Sequence, residues 1–204
     1  MNYTIIEDCS PYYIRFTYPG IERFINYSLG MYNRLDWSSY ISDIDKFNHH
    51  RLPESLGQLL LNLTPVSKDI SLTSKRVSFF RSEPGLYYRA HKDGLDNRFS
   101  INYTLKILDD KCITSWYSDD DLKNYNIDNL ESKWSRECDG FIKENHIPLK
   151  SMIALQGECI LFNTEIYHDW DNSQSINERI VLTFRSSTPN TVYFEDAKKA
   201  LFNI

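Results

Sequence analysis

The chain has 204 residues, a formal net charge of −5 and a hydrophobic share of 41%. These values predict one soluble globular domain spanning 1–204 and exclude a disordered chain. The acidic balance disfavours nucleic-acid partners, and no apolar run approaches bilayer length, so no membrane association is expected. The four widely spaced cysteines predict reduced thiols in a cytoplasmic protein.

Residues 1–74 are predicted to form a largely helical supporting layer with short extended pieces at Thr4–Glu7 and Tyr12–Tyr18. Helical spacing of apolar residues predicts three helices, at Pro19–Leu29, Asp36–Phe47 and Glu54–Leu63. In the third helix the predicted apolar stripe consists of Leu56, Leu59, Leu60 and Leu63. The polar pair His49-His50 is predicted to lie in a solvated loop.

Residues 75–186 change to a period of two, which predicts a series of short strands. The predicted strands are Arg76–Arg81, Gly85–His91, Arg98–Leu108, Cys112–Tyr117, Ser151–Gln156, Cys159–Asn163, Glu165–Trp170 and Arg179–Ser186. Segment 118–145 interrupts them as a surface insertion, with a lid over the site as the alternative. Segment 187–204 closes the chain with a short helix, Phe194–Phe202.

Helices followed by many short strands predict a mainly β domain with supporting N-terminal helices. The expected architecture is a double-stranded β-helix, that is, a jelly-roll or cupin-like barrel. Within Arg98–Leu108, apolar residues alternate with hydrogen-bonding residues that include Ser100 and Asn102. One face of this strand therefore suits a hydrophobic core, and the other is polar.

A histidine and an aspartate lie two residues apart at the end of a predicted strand. His91 and Asp93 precede a turn marked by Gly94, and this pair of side chains suits a divalent transition metal. His168, on the next-to-last predicted strand, is the candidate third ligand and would complete the facial triad of non-haem iron. By themselves, His91 and Asp93 also fit a solvated surface turn.

Arg179 begins the last predicted strand, downstream of His168. Alternation places Arg179, Val181, Thr183 and Arg185 on one face. A guanidinium aimed into a metal pocket needs an anionic partner, and its planar fork matches a carboxylate. This arrangement indicates a dicarboxylate such as 2-oxoglutarate, with Arg179 favoured as its partner and Arg185 as the competing candidate.

The order of these residues resembles that of the iron(II)- and 2-oxoglutarate-dependent dioxygenases. The resemblance covers Lys75 to Ser186 and rests on His91-x-Asp93, on the Gly157-Glu158 turn with Phe162 before His168, and on Arg179. The chain departs from many relatives at Val181, where a small residue is common two positions after the arginine.

The resemblance implies a double-stranded β-helix that binds Fe(2+) through His91, Asp93 and His168. It also implies that 2-oxoglutarate binds Arg179, with Asn102 as a further contact to the cosubstrate. The implied reaction consumes molecular oxygen, hydroxylates a substrate and releases succinate and CO2.

The substrate itself is not specified by these motifs, and a small molecule or a protein side chain fits them. Tyr87 and Arg89 share a face with His91 by alternation, and Trp170 neighbours His168, so these three are candidate substrate contacts. Packing is the alternative for Trp170. Two rival functions remain open: a non-enzymatic cupin-like binding module, and a zinc or nickel hydrolase or isomerase.

Overall fold

The computed structural model describes residues 2–36, 47–93, 98–122, 125, 127–128, 135–138, 141–186 and 192–204. The helices in these residues are α1 (Ile21–Tyr32), α2 (Glu54–Leu63), α3 (Val66–Asp69), α4 (Asp119–Leu122) and α5 (Phe194–Phe202). The strands are β1 (Thr4–Cys9), β2 (Tyr13–Thr17), β3 (Phe47–Arg51), β4 (Ser78–Ser82), β5 (Tyr87–Asp93), β6 (Phe99–Lys106), β7 (Ile113–Tyr117), β8 (Ile127–Asp128), β9 (Ser135–Cys138), β10 (Lys150–Ile153), β11 (Cys159–Asn163), β12 (Tyr167–Asp171) and β13 (Arg179–Arg185).

The described strands form two antiparallel sheets. The larger sheet has the order β1-β2-β11-β6-β13-β4-β3, and the smaller sheet has the order β10-β7-β12-β5-β9-β8. Between β4 and β13 the chain passes repeatedly from one sheet to the other, which is the winding of a jelly roll. The predicted double-stranded β-helix with supporting helices is confirmed.

The larger sheet has one face in the hydrophobic core and the other toward the smaller sheet. Alternation in β6 and β13 sends Ile101, Tyr103 and Leu182 into the core, where they are fully buried. The opposite face carries polar side chains such as Ser100 and Thr183, which are also buried. The polar face that the sequence predicted is therefore turned into the protein and not toward bulk solvent.

Helices α1, α2, α3 and α5 contribute to the core on the outer face of the larger sheet. The predicted apolar stripe of α2 is partly wrong, because Leu59 and Leu63 are 39% and 47% exposed, whereas the buried residues of α2 are Gly57, Leu60 and Leu61. Compared with the predicted stripe, the buried face of α2 is shifted toward Gly57, which lies against the backbone of Ser74. No helix among the described residues has the length and apolar character needed to cross a bilayer.

The first third of the chain supplies strands as well as helices. The extended pieces near residues 4–7 and 12–18 form β1 and β2, which join the larger sheet through β11. The predicted loop at His49-His50 is wrong, because both residues belong to β3. His50 is 2% exposed, whereas His49 is exposed to solvent as predicted. The helix predicted for Asp36–Phe47 lies almost entirely outside the described residues.

The predicted surface insertion at 118–145 is partly built into the fold. Its strand β9 pairs with β5 in the smaller sheet, and Leu122 and Cys138 are buried beneath it. This pairing satisfies the backbone groups of β5, which would otherwise be an edge strand of the smaller sheet. Gly94, which marks the predicted turn after Asp93, and residues 129–134 of this segment lie outside the described residues.

Candidate functional site

A cavity of about 520 Å³ lies between the two sheets. Strands β3, β4, β6 and β13 line it from the larger sheet, and β5 and β12 line it from the smaller sheet. The volume is in the range of small-molecule sites in proteins. The cavity contains the three predicted metal ligands together with Arg179 and Asn102.

The three predicted metal ligands lie together in this cavity. His91 and His168 are direct partners in the β5–β12 pairing, and their ring centroids are 4.4 Å apart. One ligand atom from each of His91, Asp93 and His168 lies within 4.8 Å of the other two. A single cation placed among these atoms could contact all three side chains.

The tautomers of both histidines follow from their backbone contacts. Nδ1 of His91 lies 3.0 Å from the Arg89 carbonyl oxygen, and Nδ1 of His168 lies 2.9 Å from the Ile166 carbonyl oxygen. Because a carbonyl oxygen only accepts hydrogen bonds, each Nδ1 must carry the proton. The lone pair of each neutral ring is then on Nε2, which is the arrangement found in metal-binding histidines.

His168 is held in its neutral form. Burial, followed by the neighbouring His91, lowers its pKa to about 3. A neutral imidazole is the form that binds a metal ion, so no proton has to leave His168 near neutral pH. The surroundings of His168 therefore favour ligation of a metal over solvation of a charged ring.

Asp93 ends strand β5 and is fixed by its backbone and by an arginine. Its amide donates to the Thr164 carbonyl oxygen at 3.3 Å, which ties the end of β5 to the segment between β11 and β12. Its Oδ2 lies 3.4 Å from Nη1 of Arg185. The carboxylate is thereby directed toward the two histidines, with a positive charge beside it.

Arg179 lies at the other end of β13 and is 6% exposed. Its guanidinium carbon lies 4.9 Å from the ring centre of Trp170, and Nη1 donates to Sγ of Cys112 at 3.3 Å. Its Nε is buried and has no hydrogen-bond partner among the described residues. Among the described residues no carboxylate lies within ion-pair distance of Arg179, although a buried guanidinium strongly favours one.

Asn102 faces the same cavity from β6. Its register partner on β13 is Thr183, so it lies between the Arg179 end and the Arg185 end of that strand. Its Oδ1 is buried and lacks a hydrogen-bond partner in the described structure. Two unsatisfied polar atoms, on Asn102 and Arg179, thus belong to residues of one cavity, which is typical of a site for a polar ligand.

The structure separates the predicted substrate contacts into two groups. Trp170 lines the cavity, whereas Tyr87 packs on the outer side of the smaller sheet and donates to Oδ2 of Asp169 at 3.3 Å. The cause is a bulge in β5, because His168 pairs with His91 but Trp170 pairs with Tyr88. The extra residue interrupts the alternation.

As a result of the bulge, Tyr88 and not Tyr87 shares the cavity with His91, with ring centroids 4.7 Å apart. The expected shared face of Tyr87, Arg89 and His91 is therefore wrong. Arg89 acts electrostatically on the thiol of Cys138, a residue in the cluster on the outer side of the smaller sheet.

Sequence reasoning missed the contribution of β3 and of the turn before β4. His49, Arg51 and Arg76 line the cavity, and His49 stacks on Phe80 with ring centroids 4.6 Å apart. The alternation of His49 and Arg51 was an available signal. It was weak because a strand of five residues with little apolar character resembles a loop.

Asp169 was also missed, and it is fully buried beside the metal-ligand candidate His168. It accepts hydrogen bonds from the Tyr117 hydroxyl at 2.7 Å and from the Ser115 amide at 3.0 Å. Burial raises the pKa of this carboxyl. These contacts bind β12 to β7 and fix the strand that carries His168.

Neither a protein-family model nor a curated protein sequence matches the chain significantly. Solved structures do match. The epimerase SnoN in complex with Fe3+, alpha ketoglutarate and nogalamycin RO has a TM-score of 0.54 at 11% identity, covering 85% of this chain and 77% of that chain. HygX from Streptomyces hygroscopicus with nickel and 2-oxoglutarate has a TM-score of 0.56 at 10% identity, with 86% and 83% covered.

A third similar structure is an oxidoreductase of the 2OG-Fe(II) oxygenase family from Burkholderia pseudomallei. Its TM-score is 0.57 at 13% identity, and the match covers 86% of this chain and 84% of that chain. At such low sequence identities the similarity shows a common fold. The protein shares the fold of these structures, a cupin-like double-stranded β-helix.

Proposed function

We propose that the protein is an iron(II)- and 2-oxoglutarate-dependent oxygenase that hydroxylates a small molecule or a protein side chain, with molecular oxygen as co-reactant. One observation carries the proposal: two imidazoles and one carboxylate converge within 4.8 Å in a cavity that a buried arginine also lines. This is the ligand set of the facial triad, which leaves coordination positions open.

The donor set fits iron(II). His91 and His168 would bind through Nε2, because their Nδ1 atoms face backbone carbonyl oxygens, and Asp93 would bind through a carboxylate oxygen. These backbone contacts fix the orientation of both rings, which supports a metal site. Cysteine does not take part in this ligand cluster, and that composition suits iron(II) better than a structural zinc site.

The cavity also fits a dicarboxylate. The far carboxylate of 2-oxoglutarate would bind Arg179, whose buried guanidinium otherwise faces Cys112 and Trp170. Asn102 would contribute a hydrogen bond from the middle of the cavity. The keto-acid end would then be oriented toward His91, Asp93 and His168.

Other residues around the three metal ligands would exclude water and orient Asp93. Phe162 packs its ring edge against His168 with centroids 4.8 Å apart and, with Trp170, keeps water from one side of the ligand cluster. Arg185 holds Asp93 in place from the other side. Iron with 2-oxoglutarate, when bound, supplies an oxidation coupled to the release of succinate and CO2.

The direct test is an anaerobic titration of iron(II) and 2-oxoglutarate, followed by the visible charge-transfer band of the chelate. We expect His168→Ala to abolish the band. We expect Arg179→Gln to raise the apparent Kd of 2-oxoglutarate by about tenfold or more, since a bidentate charged pair is lost. The matched control is His146→Gln, which changes an imidazole that stacks on Phe141 outside the cavity.

Absence of the band in folded wild-type protein, together with no succinate formation in air, would contradict the proposal. Equal titrations for wild type and His168→Ala would contradict the ligand assignment. One structure with this fold is named an epimerase, so the product must be analysed by mass. A gain of one oxygen atom supports hydroxylation, and an unchanged mass supports epimerisation.

A further inference from the structure

We propose that the hydroxyl groups of Ser82 and Thr104 bind the far carboxylate of 2-oxoglutarate together with Arg179, and that they determine the preference of the site for a dicarboxylate. We name these three residues the carboxylate subsite. The inference rests on the proposed function and deepens it, because it assigns two binding residues that belong to none of the sequence motifs.

Ser82 and Thr104 lie on the two strands that flank β13 in the larger sheet. Ser82 on β4 is the register partner of Arg179, and Thr104 on β6 is the register partner of Val181. Directly opposed residues of antiparallel strands share a face, with their Cβ atoms about 4.5–5.5 Å apart. Ser82 therefore lies beside Arg179, and Thr104 lies beside Val181, which is the next residue of β13 on the same face as Arg179.

The shared face is the one that the larger sheet turns toward the smaller sheet. Phe80 on β4 and Asn102 on β6 both line the cavity. Ser82 follows Phe80 by two residues, and Thr104 follows Asn102 by two residues, so alternation along each strand keeps their side chains on the same face. Both hydroxyl-bearing residues are thus placed at the Arg179 end of the cavity, away from the metal ligands.

Both hydroxyl groups are buried and have no hydrogen-bond partner among the described residues. Ser82 is 1% exposed and Thr104 is 0% exposed. A hydroxyl removed from water without a partner costs free energy, so an unsatisfied group of this kind requires an explanation. Nε of Arg179 is unsatisfied in the same way. Three unsatisfied polar groups therefore meet on one face of three adjacent strands.

Buried hydroxyls elsewhere in the fold do have internal partners. Oγ of Ser28 in α1 donates to the Phe24 carbonyl oxygen at 2.9 Å, and Oγ1 of Thr64 lies 2.6 Å from the Tyr103 hydroxyl oxygen. Those contacts give each hydroxyl a place in the structure of the folded chain. No such contact accounts for Ser82 or Thr104 within the described residues, and a bound ligand would supply the missing partner.

A carboxylate matches the three groups in charge and in hydrogen-bonding role. The guanidinium of Arg179 already uses Nη1 on Cys112 and its face on Trp170, and Nε remains as a donor. Each hydroxyl can donate one further hydrogen bond, and a carboxylate accepts several. An alcohol or an amide would leave the buried guanidinium without a counter-charge. The subsite therefore favours an anionic end group over a neutral one.

The test compares two keto acids that differ only at the far end. Calorimetry on full-length protein with Mn(II) measures the Kd of 2-oxoglutarate and of 2-oxopentanoate, which has a methyl group in place of the far carboxylate. We expect Ser82→Ala combined with Thr104→Val to weaken 2-oxoglutarate binding by about thirtyfold or more, since two hydrogen bonds to a charged group are lost. Binding of 2-oxopentanoate should be no weaker than in wild type. The matched control is Ser28→Ala, a buried serine outside the cavity, which should change neither Kd by more than about twofold.

Two single substitutions at Thr104 separate the hydroxyl from the shape of the side chain. Thr104→Val keeps the shape and removes the hydroxyl, whereas Thr104→Ser keeps the hydroxyl and removes a methyl group. We expect Thr104→Val, and not Thr104→Ser, to weaken 2-oxoglutarate binding by about tenfold. In ligand-free protein Thr104→Val should raise the melting temperature by about 2–4 °C, because it removes a buried group that has no partner. A purely structural role of the hydroxyl predicts a lower melting temperature.

The outcomes distinguish this inference from the proposed function. If the iron chelate forms in wild type, but the double variant binds 2-oxoglutarate as wild type does or loses affinity for both keto acids equally, the inference is overturned and the oxygenase proposal stands. Glutarate, a dicarboxylate without the keto group, reports the carboxylate subsite in metal-free protein. Glutarate binding that depends on Ser82 and Thr104, without any chelate in wild type, removes the oxygenase proposal and leaves a carboxylate-binding site. Absence of binding of both 2-oxoglutarate and glutarate to wild type overturns both.

Discussion

His168 shows how a single buried side chain links the site to the stability of the protein. It is 6% exposed, and its Nδ1 is bound to a carbonyl oxygen. The folded protein therefore keeps this imidazole neutral. In the unfolded chain the same imidazole is exposed to solvent and binds a proton as the pH falls. That difference between the two states makes stability depend on pH.

We predict that the metal-free protein loses stability as the pH falls below about 6.5. The pKa of His168 is about 3 in the folded state, against an ordinary value of 6.5. Between these values the unfolded chain binds a proton that the folded chain does not, so the free energy of unfolding decreases with falling pH and is constant above this window.

The measurement is urea unfolding of metal-free wild type and His168→Gln across a pH series from about 7.5 to about 4.5. The variant removes the titrating group, so its free energy of unfolding should fall less steeply, by up to about 1.4 kcal/mol per pH unit. Parallel curves for the two proteins would show that His168 is protonated equally in both states and would contradict the prediction.

At the scale of elements, helix α2 depends on a glycine for its place in the fold. A Cβ atom on Gly57 would lie 2.3 Å from the Ser74 carbonyl oxygen and 3.2 Å from the Val77 side chain. The first of these is a backbone atom, which cannot rotate away. The close approach of α2 to the turn before β4 therefore requires a residue without a side chain at this position.

We predict that Gly57→Ala destabilises the protein by about 1–3 kcal/mol, because the added methyl group separates α2 from the turn at Ser74. Gly30→Ala in α1 is the matched control, since nothing lies within 4 Å of a Cβ atom there. In a helix that change should stabilise by about 0.5–1 kcal/mol. Equal effects of the two substitutions in urea unfolding would contradict the packing argument.

The elements differ in how well the sequence predicts them. The C-terminal helix at Phe194–Phe202 and the strand at Cys159–Asn163 match α5 and β11, because each has a clear local pattern. Strand β3 was missed because it is stabilised by pairing with β4, a contact between residues distant along the chain. The bulge in β5 was missed because alternation alone does not reveal an extra residue.

The residues of the candidate site also differ in how well the sequence predicts their positions. The order of His91, Asp93, His168 and Arg179 was sufficient to predict that these residues share one cavity. The substrate contacts were less predictable, because the bulge in β5 places Tyr88, and not Tyr87, on the face that lines the cavity. The positions of His49, Arg51 and Arg76 along the cavity depend on how β3 and the turn before β4 meet β13, which no local sequence pattern specifies.

At the scale of the whole molecule, the cavity connects the two sheets. The metal-ligand candidates belong to β5 and β12 in the smaller sheet, whereas Asn102 and Arg179 belong to the larger sheet. A metal and a dicarboxylate bound together would therefore contact residues of both sheets. Ligands that bind only the folded state add their binding free energy to its stability.

We predict that Mn(II) together with 2-oxoglutarate raises the melting temperature by about 5 °C or more at about one hundred times the Kd. The shift should exceed the sum of the shifts for either ligand alone, because each completes the binding surface of the other. Differential scanning fluorimetry measures it, and EDTA should reverse it. An additive response, or an equal response in Asp93→Ala, would contradict a shared site.

The position of β13 has a consequence for the synthesis of the protein. This strand is made after the other described strands, yet it lies inside the larger sheet, between β6 and β4. Until β13 has left the ribosome and paired, β6 and β4 each present an unsatisfied row of backbone groups to solvent. The nascent chain is thus exposed to aggregation until β13 has been made, and chaperone dependence should be concentrated in that interval.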